Sequence, residues 1–103
     1  MGVEKWDAPE DGWLKINCDG AFDQNSMVAG LGVDVRNSDG MLVEGRNRSS
    51  PAMNDLQVEA MVVKEGVKLA IEKKYQKVVM EMDSREIQLV VTKKKKPDDE
   101  LEN

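Results

Sequence analysis

Three acidic side chains in this sequence could do chemistry together: Asp19, Glu59 and Asp83, separated by forty and then twenty-four positions. Asp19 follows a segment in which Leu14, Ile16 and Cys18 share one parity and Lys15 and Asn17 the other, the two-residue period of a strand. Asp19-Gly20 reads as the break that ends this strand. Val78-Val79-Met80-Glu81-Met82 leads in the same way to Asp83. Carboxylates that close parallel strands face a site beyond the carboxyl ends of the sheet. Three carboxylates brought together repel one another unless a cation binds or their pKa values rise. An oxygen-only donor set selects Mg²⁺ or Mn²⁺ over zinc. Such a cluster is the apparatus of in-line phosphodiester displacement.

The rest of the composition narrows the chemistry. The 103 residues contain no histidine, which removes Ser-His and Cys-His nucleophilic catalysis and any His-ligated zinc. The single cysteine, Cys18, excludes an internal disulfide and suits a reducing, intracellular compartment. No apolar run approaches the roughly 18–20 residues that cross a bilayer, and the first residues lack a signal-peptide core. A net charge of −5 works against binding a phosphate backbone without local basic groups or metal ions.

The elements that must position the acids follow in order. Residues 1–12 read as an irregular arm, with Trp6 and Trp13 packing over the end of the first strand. Met27 to Arg36 is a second strand in which Gly30 and Gly32 mark a close approach by backbone or ligand. Asn37-Ser38-Asp39-Gly40 closes a hairpin into a third strand, Met41 to Asn47, followed by a loop over 48–54. Asp55 to Lys74 is the clearest helix, capped by Asn54 or Asp55. Leu56, Ala60, Val63, Val67, Ala70 and Ile71 form its core-facing stripe, with Glu59 at the border. Val58, Val62 and Leu69 make a second apolar patch that one sheet cannot cover. After the fourth strand, Ser84 caps an expected second helix bearing Ile87, Leu89, Val90 and Val91, which would supply part of that cover. Lys93 to Lys96 and the acidic end to Asn103 read as a solvated, disordered tail over 93–103.

The predicted fold is therefore α/β, a mixed sheet of an antiparallel three-strand meander plus a parallel fourth strand, with helices packed on it. Four segments in this order resemble the ribonuclease H-like domain of the plant reverse-transcriptase-like family: Lys15 to Phe22, Ala29 to Arg36, Val58-Glu59-Ala60 and Met80 to Ser84. The resemblance implies that Asp19, Glu59 and Asp83 are the catalytic and metal-binding acids. Gly20, Ala21 and Ser84, beside them, become candidate substrate contacts. It also implies hydrolysis of the RNA strand of an RNA–DNA hybrid, with Mg²⁺ or Mn²⁺ as cofactor. The family continues with a further strand and a final helix carrying a fourth acid. Residues 13–92 are accordingly expected to be a C-terminally truncated version of that domain with weak activity.

Two other readings stand beside this one. The chain could bind nucleic acid without cutting it, or it could be a self-associating protein-interaction module. Strand four, left as an apolar edge, and the second helix are where a homodimer is expected to form.

Overall fold

A computed structural model describes residues 6–82 and 85–90, with Glu86 the one side chain described in the last six. Asp83, Ser84, the lysine run and the acidic tail lie outside the described residues, as do residues 1–5. The order of elements is β1 (Leu14–Asp23), β2 (Val28–Arg36), β3 (Leu42–Pro51), α1 (Asp55–Glu72), β4 (Lys77–Met82) and β5 (Arg85–Val90). They form one mixed sheet in the order β3-β2-β1-β4-β5 with α1 packed on one face. The meander β1-β2-β3 is antiparallel, and β4 lies parallel to β1 in the register Leu14↔Val78 to Asn17↔Glu81.

Strand alternation sorts the sheet into two faces. Ile16 and Cys18 of β1, Leu31, Val33 and Val35 of β2, and Val78 and Met80 of β4 are buried on the α1 side. The other face carries Lys15, Asn17 and Asp19, then Gly32, Asp34 and Arg36 registered opposite them. It is the more polar face of the sheet.

The helix is well punctuated. Asn54 is the N-cap, its side chain accepting from the Gln57 amide at 2.7 Å. The last turn closes with the Lys73 and Tyr75 amides on the Leu69 and Ala70 carbonyls, and Lys74 takes a left-handed conformation (φ 60°) that stops the helix. Its buried face, however, is rotated from the expected one. Val58, Val62, Gly66, Leu69 and Ala70 are buried, whereas Leu56 and Ile71 are 76% and 62% exposed. Gly66 is the reason. A Cβ on it would stand 2.8 Å from Met80 Cε and 2.9 Å from Cys18 Sγ, so the bare residue marks where helix and sheet come closest. An apolar stripe counted from large side chains passes over that point. The patch that seemed to need a second cover is the core itself.

The segment expected as a second helix is a strand. β5 pairs antiparallel with β4 from Met82↔Arg85 to Lys77↔Val90. Glu86, Ile87, Gln88 and Leu89 alternate with period two, and Ile87 and Val90 are β-branched, both favouring extended backbone. Glu86 also reaches an interior cation from this position: Lys15, 2% exposed, binds Glu81 at 2.9 Å and Glu86 at 2.8 Å. Glu81 and Glu86 stand opposite each other across the β4–β5 ladder, a repulsive arrangement that the Lys15 ammonium between them reverses. Because β5 covers β4, strand four is not an edge. The two surfaces on which self-association is expected, strand 78–82 and the second helix, are respectively interior and not helical.

Lys15 also anchors the arm that precedes β1. Its ammonium donates to the Asp7 carbonyl at 2.6 Å and lies 5.2 Å from the Trp6 ring centroid. Burial opposes the charge, but the hydrogen bonds to Glu86 and Glu81 outweigh it and the Lys15 pKa is raised. Trp6 in turn donates from Nε1 to Asn17 Oδ1. Trp6 thus packs against β1, as its sequence position predicts.

Cys18 supplies a test of this packing. Burial, with the Asp34 charge second, pushes its thiol from 9.0 up to about 11. The folded chain therefore keeps a proton that the unfolded chain releases as pH passes 9, and stability is lost between pH 9 and 11. The loss attributable to this group is at most about 3 kcal/mol. Urea denaturation at pH 7, 9 and 10.5 is expected to show the decline, and Cys18→Ala to flatten its first part. A Cys18→Ala chain with the same alkaline slope would refute the assignment.

Candidate active site

Asp19 lies in the middle of β1 rather than at its end. The strand runs on through Gly20 to Asp23, because β2 offers a partner at every step to Asp23↔Val28. The turn comes later, where the Asp23 carbonyl and carboxylate accept from the amides of Met27 and Asn25. Ladder hydrogen bonds thus override the turn tendency of Asp-Gly. Cys18 and Gly20 face α1, so the exposed Asp19 side chain belongs to the opposite face. There it lines two adjoining grooves of about 450 and 310 Å³, shared with Asn17 and Ala21 of β1 and with Asn47 and Ser49 of β3.

Glu59 lies in the second turn of α1 and is half-buried. It lines a cleft of about 140 Å³ together with Gly20, Asp55, Val58, Val62 and Met82. Gly20 follows Asp19 in sequence and Met82 precedes Asp83. The cleft therefore gathers Glu59 and the immediate neighbours of both aspartates. The parallel register bears on the same point: Asn17 pairs with Glu81, and Asp19 and Asp83 each stand two positions further along the sequence. Asp83 and Ser84 themselves lie outside the described residues. Among the described residues, no group of three or more Asp, Glu, His or Cys is gathered closely enough to hold a metal.

What brings α1 down to Glu59's cleft is the absence of a side chain at Gly20. A Cβ there would lie 2.7 Å from Val58 Cγ1, inside any tolerable contact. Val58 is buried and β-branched, so it has little freedom to withdraw. Gly20, one of the candidate substrate contacts, thus has a packing role beside any contact it makes. Ala21, another candidate, is exposed in the groove beside Asp19.

Two residues of this region escape a motif-based reading. Asp55 reads as a capping residue, yet it lines the same cleft as Glu59 four positions on. The i, i+4 spacing that puts both on one helix face is the signal that could have found it. Asn47 reads as the last residue of a strand, but β3 continues to Pro51 and its side chain opens into both grooves beside Asp19. Its place opposite Gly32, itself opposite Asp19, emerges only from the sheet register.

The donors around this region are carboxylate and amide oxygens, while Cys18 is enclosed in the core. In kind they fit a hard cation such as Mg²⁺. Residues 17–103, a span that includes all three acids, match the family described as reverse transcriptase-like. The chain belongs to the reverse transcriptase-like family. Its mixed sheet with a helix on one face accords with the ribonuclease H-like fold of that family. Comparison with curated proteins and with solved structures gave no match.

The Gly20–Val58 contact is testable on its own. Gly20→Ala is expected to destabilise the chain by about 1–3 kcal/mol, the usual cost of overpacking. Val58→Ala removes the clashing methyl, so the double variant should be more stable than the sum of the two single losses predicts. Strict additivity in urea titrations would show that the contact does not set the position of α1.

Proposed function

We propose that this member of the reverse transcriptase-like family is a ribonuclease H-like nucleic-acid-processing domain that hydrolyses the RNA strand of RNA–DNA hybrids with Mg²⁺ or Mn²⁺. The observation that carries the reading is the cleft beneath α1, where Glu59 meets Gly20 and Met82, the chain neighbours of Asp19 and Asp83, while the Asp19 side chain itself lines the grooves of the opposite face. The family match spans all three acids and supports the same assignment.

In this reading Asp19, Glu59 and Asp83 hold the cation. When bound, the cation supplies positive charge against the scissile phosphate and lowers the pKa of a coordinated water. Asp19 belongs to the central strand: it is paired with Gly32 of β2, and the ladder to β4 holds the same strand up to Asn17, two residues before it. Glu59 is fixed by a capped helix whose height over the sheet is set at Gly20. The residues thus have the rigid support that a pre-organised charge-stabilising site requires. Gly20, Ala21 and Ser84 are the proposed substrate contacts. The grooves on the Asp19 face, lined by Asn17, Asn47 and Ser49 and also by the charged Asp34, Arg36, Arg46 and Arg48, offer room for a strand to lie across the sheet.

The decisive experiment is cleavage of a labelled RNA–DNA hybrid by the full chain with Mg²⁺, with Mn²⁺ and with chelator. Cleavage is expected only with the metals. Asp19→Asn and Asp83→Asn should each lower the rate by on the order of 10²-fold or more. Mn²⁺ titration, followed by paramagnetic broadening of backbone amides, should affect Gly20 and Glu59 first. Cleavage that survives Asp19→Asn would sink the mechanism. A hybrid that binds but is never cut, with any metal, would favour the binding-only alternative.

A further inference from the structure

The grooves beside Asp19 meet along a single row. Asp19 of β1, Gly32 of β2 and Asn47 of β3 stand opposite one another in register, and these three residues line both grooves. Gly32 is the bare middle of the row. A Cβ built there would lie 3.1 Å from Asn47 Oδ1 and 3.6 Å from the Asp19 carbonyl oxygen. The Asn47 carboxamide therefore leans over Gly32 toward β1, into the space that a larger residue would take. Asn17, two positions before Asp19, is occupied at both ends of its amide, accepting from Trp6 and donating to Asp34 at 2.8 Å. The Asn47 carboxamide is exposed and has no such partner among the described residues.

From this we infer that Asn47 is a specificity-determining residue that binds a ribose hydroxyl of the strand lying at Asp19, and so distinguishes RNA from DNA. The inference rests on the proposed reading of Asp19 as part of a nucleic-acid-processing site. A carboxamide both donates and accepts, and so does a hydroxyl. Being neutral, it adds nothing to the repulsion between the acids and a phosphate backbone. The 2′-hydroxyl is the group by which a protein tells the two nucleic acids apart at a given position. Two strand spacings separate the backbones of β1 and β3, roughly 10 Å, and the Asn47 carboxamide spans part of that distance by leaning over Gly32. The bare floor at Gly32 leaves the sugar room to lie between them.

The test measures affinity by fluorescence anisotropy, using the full chain, Mg²⁺, a labelled RNA–DNA hybrid and the DNA duplex of the same sequence. Readings are taken before cleavage is detectable. Wild type is expected to prefer the hybrid. Asn47→Ala should weaken the hybrid roughly threefold to tenfold, the scale of one uncharged hydrogen bond, and leave the duplex unchanged. Asn47→Gln should recover part of the preference. Gly32→Ala, which presses on the amide without removing it, should shift the preference the same way. Equal losses on both ligands, or no loss on either, would overturn the assignment. If wild type binds both equally yet cuts hybrid in an Asp19-dependent way, the functional reading stands and the role of Asn47 falls. If it binds neither, both fall. Circular dichroism and thermal melting of each variant guard against a folding defect, and the Gly32→Ala arm still decides if Asn47→Ala fails to fold.

Discussion

Gly66 and Gly20 are the two places where α1 comes down on β1 without a side chain between them, and the site depends on that approach. At Gly66 the space of a Cβ is already filled by Met80 and Cys18, and at Gly20 by Val58. Interior packing does not yield by tenths of an ångström without cost, so these contacts fix the helix in height and rotation. Rotation decides which residues face the sheet. With Gly66 at the crossing, Val58 and Leu69 go inward, Leu56 and Ile71 outward, and Glu59 falls at the rim beside Gly20. A helix seated on its larger residues would be turned and would carry Glu59 elsewhere.

Charge pairs hold the outer parts of the domain in the same orientation. On the α1 side, β3 presents Glu44, Arg46 and Arg48 to Lys73, Glu72 and Glu65 of the helix and its cap. Exposed pairs of this kind are worth little singly, and their contribution is to register α1 along the edge strand. Lys15 on the opposite face is different in kind. Enclosed among Asp7, Trp6, Glu81 and Glu86, it joins the N-terminal arm, β1, β4 and β5 through one buried ammonium. Removing either carboxylate weakens the compensation for burying that charge, whereas removing the lysine leaves two facing glutamates.

Much of this was legible in the sequence, and the failures share a cause. The meander, its Asn37–Gly40 turn, the parallel strand and the Asn54 cap follow from local patterns of period two, turn chemistry and capping. The family resemblance rests on segments that span those elements. What local patterns could not supply was the partner of each segment. Asp19-Gly20 looks like a turn until β2 is known to run alongside it. Residues 85–90 look helical until Glu86 is needed across β4 by Lys15. The helix face differs from the apolar stripe because its closest contact is made by a glycine, Gly66, which carries no side chain to count. Asn47 came to notice only through a register that no single segment encodes.

The acidic character of the chain bears on how such a site would meet a polyanion. The net charge is −5, Arg46, Arg48 and Lys15 are engaged by carboxylates, and the exposed Lys64, Lys68, Lys74 and Lys77 do not line the grooves beside Asp19, so little unpaired basic charge stands where a nucleic acid would meet that face. Attraction must then come from somewhere other than a basic patch. In the proposed reading a divalent cation would do this locally, by giving a phosphate a positive partner beside the acids. Around it, neutral amides and hydroxyls such as Asn47 and Ser49 add hydrogen bonds without adding charge. Binding built in this way depends on the cation first and on shape and hydrogen bonding second. Its affinity should respond steeply to divalent metal and weakly to monovalent salt, the reverse of a domain that grips nucleic acid through lysines and arginines.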